Sequence, residues 1–443
     1  MISPTNPYDV IVVGAGPAGT TAATLLAQQG RRVIVLERDH FPRYHVGESL
    51  VPFCYSTLNR LGMVEKLNAA GFVKKYSVQF ATTDGRMSQP FYFSDHLDGH
   101  PAGQTWQVER SIFDTMMVEN AREHGAEIRF GVAAKKVIKD EHGAVIGIEA
   151  IDEAGQPIEL RATVVVDASG RNGFSANAMG WKRHRDPELN KIALWTYYKG
   201  GKRGQGRDEG ATTVAYIPAK GWFWHIPLHE DRISLGVVGE KDYLYRDGLK
   251  DPLAVIEREI EENAWVKDVM QDAEQYGETW VTGEYSYRSE HSATDGLVLT
   301  GDAFSFMDPV FSTGVFLALV SGEFAADAIH ESLDAGDVSA QRFEPYTDQF
   351  QHAIEAMRKL VYAFYTEGFS FGKLLKKHSQ LRSDLTDCLI GKVSTDFTAL
   401  FDGVAEFVDV PEPLTYGRPL SLALAPSPSQ GEGWGEGPAL SSQ

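Results

Sequence analysis

Residues 8–37 constrain this chain more than any other stretch. Tyr8-Asp9-Val10-Ile11-Val12-Val13 is a β-branched run, Gly14-Ala15-Gly16-Pro17-Ala18-Gly19 follows at once, and an alanine- and leucine-rich segment continues to about Gln29. β-Branched residues favour extended chain, glycines a tight turn, and Ala and Leu a helix, so the order strand, turn, helix is predicted. A second apolar run, Val33-Ile34-Val35-Leu36, ends in Glu37, about twenty residues past the glycines. Gly14 makes the turn, Gly16 lets backbone approach a pyrophosphate, Gly19 permits close packing of the helix, and Glu37 accepts from ribose hydroxyls. The glycine pattern alone is weak evidence. With both strands, the helix and the acid in place, it predicts an α/β fold that binds a dinucleotide.

Two later segments belong to the same sheet. Ala162 to Arg171 is a buried strand running into the small-residue turn Asp167-Ala168-Ser169-Gly170, and Leu297-Val298-Leu299-Thr300-Gly301-Asp302-Ala303 ends in Gly-Asp. A strand ending this way puts a carboxylate at the sheet's C-terminal edge, where ligands sit in open α/β folds, and Asp302 suits a ribityl or ribose hydroxyl. The fingerprint occurs once; the glycines from Gly200 to Gly210 lie among charges without a preceding apolar strand and read as a loop.

Composition narrows the partners. A formal charge of -19 repels both nucleic acid and anionic membrane, so neither is expected. Cys54 and Cys388 are the only cysteines, which excludes a disulfide framework and a cysteine-rich metal site and fits a reducing cytoplasm. No apolar run is long enough to span a bilayer, and no export signal is found. With 443 residues, 43% of them apolar, the chain can fill two or three cores.

The run Trp222-Phe223-Trp224-His225-Ile226-Pro227 is the other distinctive stretch. In extended chain Trp222 and Trp224 face the same way and lay two indoles side by side, as a wall or as an ordinary aromatic sheet face packed on a core. The glycine fingerprint, Asp167-Ala168-Ser169-Gly170 and Gly301-Asp302, in this order, resemble the FAD-dependent oxidoreductases of the aromatic hydroxylase and geranylgeranyl reductase fold. That fold has a Rossmann-like FAD-binding domain, an antiparallel-sheet substrate domain and a C-terminal helical region. Within it, Gly47-Glu48-Ser49, the tryptophan run, and Phe306-Met307-Asp308-Pro309-Val310-Phe311-Ser312-Thr313-Gly314 resemble the flavin-dependent halogenases, matching WxWxIP and the FxxPxxSxG pattern of those acting on phenols and pyrroles.

The resemblance implies a mechanism. FADH2 and oxygen give a flavin hydroperoxide, chloride or bromide attacks it, and the hypohalous acid moves through a tunnel to a lysine. Halide would sit on the backbone N–H groups of Thr313 and Gly314, where a helix beginning at Gly314 offers unpaired N–H groups and partial positive charge. Plain capping of that helix by Ser312 or Thr313 is the competing reading. The lysine corresponds to Lys75; burial would lower its pKa and leave an amine able to bind hypohalous acid or form a haloamine. Lys74 would then be solvated, and a register slip would exchange the two. Trp222 and Trp224 would keep flavin and substrate apart, so that halogenation replaces hydroxylation.

By the same resemblance Phe306, Pro309, Phe311 and Ser312 would fall on the substrate side, although core packing explains the two phenylalanines equally well. The tryptophan-acting halogenases carry a glutamate where this chain has Phe311, so free tryptophan is not the expected substrate. A phenol needs no such glutamate, because its own ionised oxygen pushes electron density onto the ring. Gly47, Glu48 and Ser49 would lie against the flavin, with a charged surface loop as the competing reading, and Arg110, read with Gln107 as preceding a helix over 112–124, would reach the FAD phosphates or ribityl chain or else belong to an ordinary helix N-terminal turn. His45, His96, His100 and His225 are the candidates for a general base. A separate reductase would supply FADH2. Whether the small aromatic substrate is free or carrier-tethered is left open. A flavin-dependent reductase or monooxygenase of the same fold is the alternative, and a flavin-binding protein without turnover a third reading.

The expected organisation is an FAD-binding domain assembled from 1–75, 105–175 and 281–335, a substrate-facing domain of antiparallel strands from 76–104 and 176–280, with a helix near 252–275, and a helical cap over 336–424. The Pro-, Ser- and Gly-rich tail, 425–443, lacks the apolar content to pack and is expected to be disordered.

Overall fold

Val10–Val13, Val33–Leu36 and Val164–Asp167 are aliphatic at nearly every position and buried at all of them, as strands covered on both faces must be. In the computed structural model, which describes residues 8–218, 221–283 and 286–422, they form the centre of a six-stranded sheet. Its order is Ala293–Thr294, Leu297–Leu299, Val164–Asp167, Val10–Val13, Val33–Leu36, Glu127–Arg129, parallel except at the first pair. The helix after the glycines, Pro17–Gln28, carries proline at its start, where no N–H is needed. The long helix Gly314–Ala335 packs along it, and Arg110–Glu123 also touches it. This is the Rossmann-like arrangement the fingerprint predicts, with strand C-termini, glycine turn and Gly301-Asp302 on one edge.

A second sheet of seven strands stands opposite that edge, in the order Glu274–Thr282, Ile192–Lys199, Arg232–Gly239, Gly221–Pro227, Thr212–Ile217, Ser77–Ala81, Phe91–Tyr92. One pairing departs from the antiparallel expectation: Ser77–Ala81 runs parallel to Thr212–Ile217. Alternation fixes which face a side chain takes but not the direction of the neighbouring strand. Parallel neighbours need a long connection, here the intervening chain that supplies the strands Glu127–Arg129 and Val164–Asp167 of the first sheet.

Alternation along Gly221–Pro227 divides its side chains between two cores. Trp222, Trp224 and Ile226 join the core shared with the parallel sheet, while Phe223 joins a separate core beneath the seven-stranded sheet. Two helices close that lower core, Pro252–Glu262 and Ala264–Met270. The single helix expected over 252–275 is therefore broken. Asn263 leaves helical geometry and its side chain accepts from Val266 N at 2.9 Å, so it starts a new helix, and by Glu274 the chain is a strand.

The C-terminal region is helical: Glu344–Tyr365, Phe371–Lys377, Arg382–Ile390 and Thr398–Ala405. Among the described residues no helix is long and apolar enough to cross a membrane. The tail expected to be disordered, 425–443, lies outside the described residues.

Candidate active site

A cavity of about 660 Å³ separates the C-terminal edge of the parallel sheet from the indole face of the seven-stranded sheet. The glycine turn, Glu37, the 43–49 loop, Arg110, Asp302, Trp195, Trp222, Trp224, Phe306, Pro309, Ser312 and Gly314 all line it. Residues spread over most of the chain are thus brought to one space.

The dinucleotide end is built by close approach. Gly14 has φ +105, and a Cβ there would stand 2.4 Å from Ala168 O; at Gly19 it would meet Gly14 O at 2.0 Å. No other residue fits either position. A Cβ on Gly16 would meet only Arg43 Nη2, at 3.8 Å, so the start of the Pro17–Gln28 helix stays open to a phosphate. Glu37 is oriented by accepting from Ala15 N at 2.9 Å and Asp39 N at 3.0 Å. Gly301 turns the chain at φ +54 just before Asp302. Burial lifts the Asp302 carboxyl to about 6, against the pull of the Arg171 and Arg110 guanidinium groups. The cradle, helix terminus and acids together fit FAD.

Arg110 is the first residue of its helix rather than a residue before it. Its Nε and Nη2 donate to Asp114 at 2.7 and 3.0 Å and its Nη1 to Val46 O at 3.0 Å, so it ties the 45–49 loop to the helix at the cavity wall. In that loop Gly47 has φ +116. Glu48 is buried, accepting from Tyr197 OH at 2.6 Å, and desolvation raises its pKa.

The chain leading into the long helix is shaped by Asp308, which accepts from Val310 N at 3.1 Å and caps the short turn Pro309–Phe311. Ser312 then takes a left-handed φ of 56, and Thr313 occupies the N-cap without a side-chain capping bond. The capping reading of these residues therefore fails, and around Gly314 the space is open. Phe311 turns from the cavity to pack on Phe364 and Phe371, at 5.8 and 6.0 Å between ring centres, whereas Phe306 lines the cavity beneath Arg171.

The two indoles of the sequence motif lie 6.0 Å apart, tilted by 49°, and a third, Trp195, stands 6.2 Å from Trp224 across Gly236 of the intervening strand. Trp222 Nε1 donates to Tyr365 OH and Trp224 Nε1 to Ser234 Oγ. Trp195 carried no motif to mark it.

Lys75 ends the short strand Val73–Lys75 opposite Thr105. It is 1% exposed, whereas Lys74 is exposed. Its Nζ donates to Ser49 Oγ at 2.9 Å and Leu50 O at 3.2 Å, and the Phe93 ring centre lies 5.6 Å away. Burial lowers its pKa to about 7, with Cys54 opposing. Lys75 is not itself on the cavity wall. Ser49 is, paired at 2.8 Å with Thr212 Oγ1, which takes a further bond from Gln107 Nε2. One layer of hydroxyls thus separates amine from cavity. Thr212 was not evident from sequence because it meets Ser49 only across the fold.

The four histidines divide. His225 points into the lower core against Trp265, its pKa lowered to about 4 by burial, and His96 is paired with Asp387 at 2.5 Å. His100 caps Ala102 N, and only His45 lines the cavity.

Sheet order, glycine cradle and cavity define an FAD-dependent oxidoreductase, and the sequence model described as "FAD dependent oxidoreductase" matches residues 9–178. The model described as "Tryptophan halogenase" matches residues 98–370. The chain is 34% identical over 386 residues to a 1H-pyrrole-2-carbonyl-[peptidyl-carrier protein] brominase of Pseudoalteromonas luteoviolacea, covering 87% of this chain and 92% of the relative. It is 30% identical to the corresponding chlorinase of Pseudomonas fluorescens, over 87% and 89% of the two chains. The solved flavin-dependent brominase Bmp2 superposes with a TM-score of 0.81 at 32% identity, over 90% of this chain and 98% of that one. This chain belongs to the flavin-dependent halogenases.

Proposed function

We propose that the enzyme installs bromide or chloride on an electron-rich aromatic ring of the pyrrole or phenol type, using FADH2 delivered by a separate reductase. The two relatives named for a pyrrole-2-carbonyl group on a carrier protein favour a carrier-tethered pyrrole. One observation carries the reading: a buried amine, lowered to about 7, sits one hydroxyl layer behind a dinucleotide cavity walled by indoles.

Bound and reduced, FAD supplies the two electrons that activate dioxygen. Overall, arene C–H, halide, O2, FADH2 and one proton become aryl halide, FAD and two waters. Thr313 and Gly314 hold the halide with backbone N–H groups at the helix N-terminus. Lys75, as free amine, takes the halogen of hypohalous acid to form an N–halogen bond and release water. It then passes the halogen to the ring, which loses its proton, and the amine is restored. Ser49 and Thr212 guide the oxidant from cavity to amine. Trp222 and Trp224 keep the arene from FAD, and Phe306, Pro309 and Ser312 shape the substrate side. Glu37, Arg110 and Asp302 hold the dinucleotide.

The test is a mass-spectrometric assay with a flavin reductase, NADH, air, bromide, and a panel of phenols and pyrroles, one pyrrole loaded on a carrier protein. A bromine isotope pattern that disappears in Lys75→Ala while FAD stays bound is expected. Products that gain oxygen or hydrogen would overturn the reading.

A further inference from the structure

Tyr365 is the last residue of the Glu344–Tyr365 helix, and it reaches two elements remote from it in sequence. Its hydroxyl oxygen accepts the Trp222 Nε1–H at 2.8 Å, and its own proton is donated to Asp308 Oδ2 at 3.0 Å. The direction of this chain is forced. An indole nitrogen only donates and a carboxylate only accepts, so the hydroxyl between them does one of each. Asp308 Oδ1 caps the Pro309–Phe311 turn through Val310 N, and Asp308 N donates to Ser286 Oγ at 3.0 Å. Lys191 Nζ lies 5.0 Å from the centre of the Tyr365 ring and pairs with Glu240 at 2.9 Å.

Trp222, Tyr365 and Asp308 are 2%, 7% and 0% exposed, so water does not substitute for any of these bonds. One hydroxyl therefore fastens together the indole wall, the C-terminal helix and the turn that presents Ser312, Thr313 and Gly314.

We propose that Tyr365 is a positioning residue that locks the Trp222 indole to the 308–314 loop, so that the wall between FAD and the Lys75 amine is closed when the loop is set to hold halide. The inference rests on the halogenase reading above. Without the hydroxyl the indole N–H and the carboxylate are both stranded in a dry site, and each relaxes independently. Halide binding then loosens together with the wall, and the reducing equivalents leave with dioxygen as hydrogen peroxide, with no halogen delivered to the arene.

Tyr365→Phe keeps the ring and removes the shared hydroxyl. Tyr362→Phe is the control: it lies on the same helix and makes the same type of bond, but to Asp186. Three quantities are measured: peroxide released per aryl halide formed, chloride affinity of the resting enzyme from chloride-35 line broadening, and the urea-unfolding double-mutant cycle of Trp222→Phe with Tyr365→Phe. In Tyr365→Phe we expect the peroxide ratio to rise and chloride affinity to fall, each about fivefold, with non-additive unfolding in the cycle. Tyr362→Phe is expected to change neither ratio nor affinity. The proposal is overturned if Tyr365→Phe matches wild type in both, or if Tyr362→Phe changes them equally, which would mark a general role of the helix in stability. Trp222→Phe, cutting the chain at its other end, should raise the peroxide ratio as well. If wild type forms no aryl halide the halogenase reading fails separately, and chloride affinity in the two tyrosine variants still decides the coupling.

Discussion

Lys75 and Lys191 are the buried lysines among the described residues, 1% and 3% exposed, and the regions around them differ in kind. Lys191 Nζ meets the Glu240 carboxylate and the face of the Tyr365 ring, partners suited to a cation. Lys75 Nζ meets a hydroxyl and a backbone carbonyl, and burial brings it down to about 7. Enclosure is common to both, so the difference lies in the partners each amine meets. What distinguishes Lys75 is that its strand carries it into a pocket of neutral oxygens, one of which, Ser49 Oγ, also faces the cavity.

The largest expected effect comes from exchanging the two sites. Lys75→Ala should lower halogenation by about a thousandfold or more, with FAD binding retained by absorbance. Lys191→Ala should keep the product and lose stability. Equal losses of turnover would erase the distinction.

The pH dependence sharpens it. A lysine of ordinary pKa 10.5 lowered to about 7 on folding leaves the unfolded chain binding the proton that the folded chain does not, between those values. Stability therefore rises with pH across that window, by up to about 1.4 kcal/mol per pH unit. Urea unfolding should show this slope in wild type and lose that contribution in Lys75→Met. Turnover should rise about tenfold per unit below 7 and level off above it.

Ser49→Ala removes the hydroxyl between amine and cavity, and kcat/KM should fall about tenfold with stability changed by about 1 kcal/mol. The smallest effect belongs to Glu240→Gln. Glu240 is 55% exposed, so its pairing with Lys191 contributes at most about 1 kcal/mol in urea unfolding, and product formation should be unchanged.

What the sequence discloses depends on range. The parallel sheet was legible because its strand, turn, helix and acid lie within residues 8–37, and period-two alternation put Lys74 and Lys75 on opposite faces and Trp222 and Trp224 on one, while the family resemblance chose Lys75 as the inward lysine. The parallel pairing of Ser77–Ala81 with Thr212–Ile217 was not legible, since both directions satisfy the same alternation. The helix break at Asn263 hid inside a pattern that remains helical on both sides. Ser49 with Thr212, Glu48 with Tyr197, and Tyr365 with both Trp222 and Asp308 are contacts across long sequence separations, and no spacing rule reaches them. Phe311 marked the departure from the tryptophan-acting enzymes, but it packs on Phe364 and Phe371 of the C-terminal helices, a contact its motif does not encode.

The central claim is that Lys75 carries the halogen, and peptide mass spectrometry after turnover tests it most directly. Enzyme supplied with FADH2, oxygen and bromide but no arene, then quenched and digested, should yield a Lys75 peptide in which bromine replaces one hydrogen. Arene added before the quench should discharge it and gain an equal amount of bromine. An unmodified Lys75 peptide, together with bromoarene formed at the wild-type rate by Lys75→Ala, would contradict the account.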